Sequence, residues 1–184
     1  MSTGSANNAA DVLAFWRAAG AAKWFKKNAA FDAEIASRFQ VLWRDAAAGA
    51  LADWEAAPEP ALSLLLVLDQ FPRNMFRSKA EAFATDALAR DVAERAIARG
   101  FDQKVPASER LFFYLPFEHS ECLADQERAI ALVSTLGDAD LVRWAELHAD
   151  VIRRFGRFPH RNSTLGRAST REEQEFLDAG GFAG

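Results

Sequence analysis

The chain has 184 residues, with 22 Lys and Arg against 26 Asp and Glu, a formal net charge of −4 and half of its residues hydrophobic. That length suits one hydrophobic core and is short for two independent domains, and the balance of apolar and charged residues excludes collagen-like and wholly disordered chains. A single cysteine, Cys122, excludes an internal disulfide and a Cys-rich zinc site, while the most apolar stretch, Leu62 to Leu68, falls far short of the roughly 20 residues that a membrane span needs.

With 38 alanines and 18 leucines against 8 valines and 4 isoleucines, helix formers dominate strand formers. Residues 1–10 read as a small, polar, disordered tail with no secretion signal, and residues 11–184 as a single all-helical domain, expected in the cytoplasm and not at a membrane. A short helix is expected over Asp11 to Ala18. A long one follows from Ala29 to Ala48, where Phe31, Ile35, Phe39 and Leu42 recur at helical spacing. The third runs from Pro60 to Gln70 and leaves through Phe71-Pro72-Arg73-Asn74, where proline and an Asx-turn favour an exit loop. Thr85 or Asp86 opens a fourth that ends at Arg99, with Arg95 and Arg99 at the negative end of its dipole. A fifth pattern spans Ser108 to Leu136 with a kink expected at Pro116, because proline removes a helical donor.

Asp138 or Asp140 opens the sixth helix, whose stripe of Leu141, Trp144, His148, Val151 and Phe155 precedes a second proline exit, Phe158-Pro159-His160-Arg161-Asn162. Thr170 and Glu173 have the spacing of a capping box for a last short helix, closed by Gly180 and Gly181. Helices joined by short loops pack as antiparallel neighbours, which predicts stacked helix pairs or an irregular bundle. No sequence repeat of about 34 residues accompanies them.

Two groups of residues have the chemistry for a site. The segment Leu115-Pro116-Phe117-Glu118-His119-Ser120-Glu121 sets two carboxylates and an imidazole among aromatics, and His148 gains a proton-transfer role if a carboxylate such as Glu118 or Glu121 reaches it. The arginines near the C-terminus, Arg153, Arg154, Arg157, Arg161 and Arg167, offer planar forks of donors that match carboxylates and phosphates, whether on a ligand or on Glu118 and Glu121. Other chemistries lack their signatures. The Glu-x-x-His pairs of di-iron bundles, the His-x-x-x-His of zinc proteases, glycine-rich phosphate loops and Gly-x-Ser-x-Gly turns are all missing, so no metal or cofactor is expected. Cys122 has acidic neighbours and is expected to be inert, and the net negative charge disfavours nucleic acid.

Three phrases in order, Leu68-Asp69-Gln70-Phe71-Pro72-Arg73-Asn74, Tyr114-Leu115-Pro116-Phe117-Glu118-His119-Ser120-Glu121 and Arg154-Phe155-Gly156-Arg157-Phe158-Pro159-His160-Arg161-Asn162, resemble the hallmarks of an uncharacterised, largely bacterial family, domain of unknown function nine-two-four. The likeness extends from about Asp11 to Phe182. It implies an all-helical fold similar to tetratricopeptide-repeat proteins and implies no reaction, cofactor or partner.

The leading expectation is a binding module whose cleft takes a small anionic ligand or an acidic peptide terminus. Arg73, Arg157 and Arg161 are its expected anchors, Asn74 and Asn162 its orienting amides, and Phe117 and Phe158 its apolar wall. The alternative is a hydrolase or acid–base enzyme that uses Glu118, His119, Glu121, His148 and His160. A third reading is an interaction scaffold in which the same polar residues are internal clamps.

Overall fold

The computed structural model describes residues 8–182. Among them every regular element is helical and no strand occurs. They form two compact units, one of the residues up to 77 with 81–113 and the other of residues 78–80 with those from 114 onward, so that the division falls inside one helix, between Phe113 and Tyr114. No helix of the described residues is long and apolar enough to cross a membrane.

The first unit opens with α1 (Ala9–Ala19), whose start is fixed by Asn8: its side chain accepts from the Asp11 N–H, and the Asp11 carboxylate accepts from the Asn8 N–H. Residues 8–10 are therefore helix and cap where the sequence suggests a tail; residues 1–7 of that tail lie outside the described residues. A single turn, α2 (Ala21–Trp24), precedes α3 (Ala29–Ala47), which Asn28 caps by accepting from Ala30 and Phe31 N–H. Phe31, Ile35, Phe39 and Leu42 form its buried stripe, as the spacing predicts.

The next helix departs from expectation. It begins at Pro58 and continues without a break to Met75, through α4 (Pro58–Leu65), a π-helical stretch (Leu66–Gln70) and α5 (Phe71–Met75), so Phe71-Pro72-Arg73-Asn74 is helix and not an exit loop. The wider π turn changes which carbonyls need outside donors. The Thr85 hydroxyl donates to Leu68 O (2.5 Å) and Arg73 Nη1 to Asp69 O (2.7 Å). Pro72 sits in the first turn of α5, where the donor it lacks is not missed. After α6 (Asp86–Ala98), α7 (Leu111–Glu118) carries the chain into the second unit. Phe15, Trp16, Phe31, Phe39 and Phe71 fill the core of the first unit, with Phe39 and Phe71 at 4.9 Å between ring centres.

In the second unit the expected long helix is two. Pro116 is accommodated inside α7, and the break comes after it, at residues 119–122, before α8 (Leu123–Ser134). Side chains hold the backbone of that turn: Gln126 Nε2 donates to both Glu118 O and Ser120 O (2.6 Å each), and the Ser120 hydroxyl accepts from Cys122 N–H (3.2 Å) while donating to Asp125 Oδ2 (2.6 Å). These bonds compete with continuation of the helix. α9 (Ala139–Phe155), capped by Asp138, packs on α8 across the small buried residues Ala129, Val133, Ala145 and Ala149. It stops at Gly156, whose left-handed backbone (φ 67°, ψ 4°) suits glycine. Thr170 and Glu173 form the expected capping box at the start of α10 (Arg171–Asp178).

Candidate functional site

Three consequences of this folding bring chemistry together in the second unit. The break after α7 presents Glu118 and His119 at a helix end, and the short helix at Pro159–Arg161 carries His160 and Arg161. Between them α9 presents His148 half-buried beside its buried residues Ala145, Ala149, Val151 and Ile152, with Trp144 of the expected stripe exposed. His148 Nδ1 lies 3.0 Å from Glu118 Oε1 and 2.8 Å from Trp144 O. Both neighbours are acceptors, which assigns the proton to Nδ1 and leaves the lone pair on Nε2. Glu118 is 4% exposed, whereas the His148 side chain retains 14% of its surface.

The other rings close around this pair. His119 lies 6.4 Å from the His148 ring centre, Phe158 5.8 Å and Phe182 4.4 Å, while His160 is 5.5 Å from Phe158 and 5.7 Å from Phe182. The Arg161 guanidinium covers the Phe158 ring at 4.4 Å. All three histidines of the chain thus belong to one neighbourhood. Burial pushes the His148 imidazole down to about 3, and the charges of His119, Arg161 and His160 push the same way against the bond to Trp144 O. His148 is accordingly neutral at ordinary pH.

Glu121, grouped with these residues in sequence, does a different job. Arg167 binds it through both nitrogens (2.6 and 2.9 Å), and the Phe158 N–H donates to it at 2.9 Å. Burial alone would raise the Glu121 carboxyl, but the Arg167 and Phe158 donors, with the charges of Arg167 and Arg161, hold it below the usual range. Arg157 donates twice to Glu173 (2.6 and 2.8 Å), and Asn162 reaches Glu173 and Ser169 with its amide. The Arg157 donor, helped by the Thr170 N–H, lowers the Glu173 carboxyl to about 2 although burial opposes this. These contacts pin the segment after α9 to α10. Phe117 is fully buried beneath the Arg128 guanidinium, 4.5 Å away.

Arg73 and Asn74 belong to the first unit. Arg73 forks onto Asp86 (2.8 and 2.9 Å) and approaches Asp69 at 3.2 Å. Burial disfavours its charge, yet the two carboxylates raise the guanidinium above its ordinary value. Asn74 donates to Asp32 (2.8 Å), which Arg77 also binds. Among the described residues no group of three or more His, Cys, Asp or Glu is placed to hold a metal ion.

Sequence reasoning missed Gln126, which is wholly buried and fixes the turn that displays Glu118, and Phe182, which covers His148. For Phe182 the adjoining Gly180-Gly181 was a usable signal of a tight return; Gln126 gave none, because a glutamine in a helix reads as a surface residue.

Set against known proteins, the chain matches over residues 12–181 the model of a family described as bacterial protein of unknown function. It is also similar to a solved structure of a protein of unknown function from Agrobacterium tumefaciens, with 48% identity, a TM-score of 0.90 and coverage of 93% of this chain and 97% of that one. No curated protein matches it. On a family match that runs from within α1 to just past the end of α10, the chain belongs to the bacterial family of unknown function DUF924.

Proposed function

We propose that the second unit carries an acid–base site acting on a small anionic molecule, with His148 as the proton-transferring group and Glu118 as the carboxylate that orients it. The observation that carries this reading is the 3.0 Å contact between Glu118 Oε1 and His148 Nδ1. A carboxylate on Nδ1–H fixes the imidazole tautomer and leaves Nε2 to take or return a proton. The surroundings supply the preference for an anion. Burial is the first cause that disfavours a proton on His148 and the Arg161 charge adds to it, so a bound anion that offsets that charge raises the imidazole from its depressed value and makes it a better base. Substrate binding thereby arms the group that acts on it.

Among the expectations from sequence, this is the hydrolase or acid–base enzyme; the anionic ligand of the binding-module reading becomes its substrate. The bidentate pairs Arg73–Asp86, Arg157–Glu173 and Arg167–Glu121 support the clamp reading for these three arginines. In the second unit the packing of α8 on α9 supports the stacked-pair, tetratricopeptide-like arrangement. A cytoplasmic setting fits a chain with one cysteine, Cys122, and it is exposed.

The test is turnover of anionic esters, phosphate monoesters and carboxylate-bearing esters among them, by the unaltered protein and by His148→Gln and Glu118→Gln. Turnover that drops about 10²- to 10⁴-fold in His148→Gln, and less in Glu118→Gln, supports the assignment. No turnover of any such ester, or full activity in His148→Gln, contradicts it.

A further inference from the structure

The chain turns back on itself after α10 and lays an aromatic ring over the histidines. Gly180 has a positive φ of 77°, its N–H donates to Leu177 O (3.0 Å), and Gly181 N–H donates to Phe176 O (2.9 Å). At Gly181 the backbone passes the Phe176 ring so closely that a Cβ would stand 2.6 Å from three of the ring carbons. Glycine at 181 therefore permits the approach, and the return it makes delivers Phe182 onto His148, with ring centres 4.4 Å apart and planes at 62°. His160 and Phe158 flank the same ring at 5.7 and 6.3 Å. Phe182 is also one wall of a groove of about 210 Å³ that Val151, Phe155 and Phe176 line.

We propose that Phe182 is a gate to the acid–base site, holding the seat that a flat apolar group of the substrate takes, so that the substrate is a small anion bearing an aromatic or similarly planar group. The inference rests on the acid–base reading of Glu118 and His148. The seat is bounded by rings, and rings pack best against another flat surface. An anionic substituent on such a group comes beside the Arg161 guanidinium, which covers the Phe158 ring at 4.4 Å. When the substrate enters, Phe182 moves into the neighbouring groove, where Phe155 and Phe176 already pack against the same apolar cluster, and the two glycines supply the backbone freedom for that swing.

Access to His148 and occupation of the seat are measurable without turnover. Each histidine is labelled with diethyl pyrocarbonate and resolved by peptide mass spectrometry in the unaltered protein, Phe182→Leu and Phe182→Ala, with and without phenyl phosphate or inorganic phosphate. His148 labelling is expected to accelerate about fivefold in Phe182→Ala, the factor for losing one aromatic packing contact, with Phe182→Leu in between and His119 unchanged. Phenyl phosphate is expected to protect His148 in the unaltered protein more than inorganic phosphate does. Equal His148 rates in all three proteins overturn the gate. Equal protection by the two phosphates overturns the planar substrate. Faster labelling in Phe182→Ala together with no turnover of anionic esters upholds the gate while removing the acid–base reading, so the two failures are distinct.

Discussion

Glu118, from the end of α7, and His148, from the middle of α9, share one proton: the His148 Nδ1–H points at Glu118 Oε1 from 3.0 Å and at Trp144 O from 2.8 Å. The carbonyl belongs to the preceding turn of the same helix, so α9 itself helps to orient the ring, and the carboxylate completes the alignment.

The neutrality of His148 has a consequence for stability. The unfolded chain takes up this proton near 6.5 and the folded one only near 3, so the folded state is favoured in full above about pH 6.5 and loses that advantage as pH falls through the interval toward 3. The groups facing the ring are Glu118, His119, His160 and Arg161. Denaturant unfolding across this range should show stability declining from pH 6.5 downward, and His148→Phe should flatten that decline. An identical slope in His148→Phe would show that the proton is taken up elsewhere.

A second acid step follows from Glu173, which the Arg157 donor lowers from 4.5 to about 2. Its contribution is present above about 4.5 and is lost as pH falls toward 2. Glu173→Gln should lower the melting temperature at pH 7 and change it much less at pH 2.5, because there the unfolded chain already takes up the proton that the pair with Arg157 resists, and most of the pair's advantage is gone. A loss of the same size at both pH values would show that the charge on Glu173 is not what pins Arg157.

Gln126 sets the turn that displays the site. In Gln126→Leu the Glu118 and Ser120 carbonyls lose the donor they share, at a cost of about 1–3 kcal/mol, and the same change removes the buried Gln126 Oε1, which has no hydrogen-bond partner among the described residues. Urea unfolding measures the loss. The His148 ring signals should shift in the same variant because Glu118 is no longer held, whereas a purely local role would leave them in place.

In the first unit Arg73 neutralises two carboxylates. Arg73→Ala leaves Asp69 and Asp86 without the cation they share and should destabilise the protein by about 3–5 kcal/mol, with Arg73→Lys recovering part of that because lysine carries the charge without the bidentate fork. An effect below about 1 kcal/mol would mean that the pair behaves as an exposed surface bridge.

What could be read in advance divides along physical lines. The stripe of α3 and the caps at Asp138 and Thr170 are local features, set by residues three or four apart, and they stand where the spacing places them. The failures needed partners remote in sequence. Pro72 reads as an exit because nothing local shows that a π turn precedes it or that Thr85, far along the chain, supplies Leu68 O with a donor. The break at residues 119–122 likewise depends on Gln126 turning back from α8. Of the candidate site, the residue types at Glu118, His119, His148 and His160 were legible, but their convergence was not, since it requires α7, α9 and the loop after α9 to present them together. Arg157 and Arg161 look alike in sequence, yet one binds Glu173 and the other lies over Phe158.

The most direct test is the protonation state of His148, read from long-range ¹H–¹⁵N NMR correlations across a pH titration. The proton is expected on Nδ1, with Nε2 unprotonated at pH 7, no charge change until well below pH 6, and an upward shift of the midpoint when an anion such as phenyl phosphate binds. A His148 that titrates near its ordinary 6.5 with the proton on Nε2, indifferent to added anion, would contradict the assignment of an acid–base pair to Glu118 and His148.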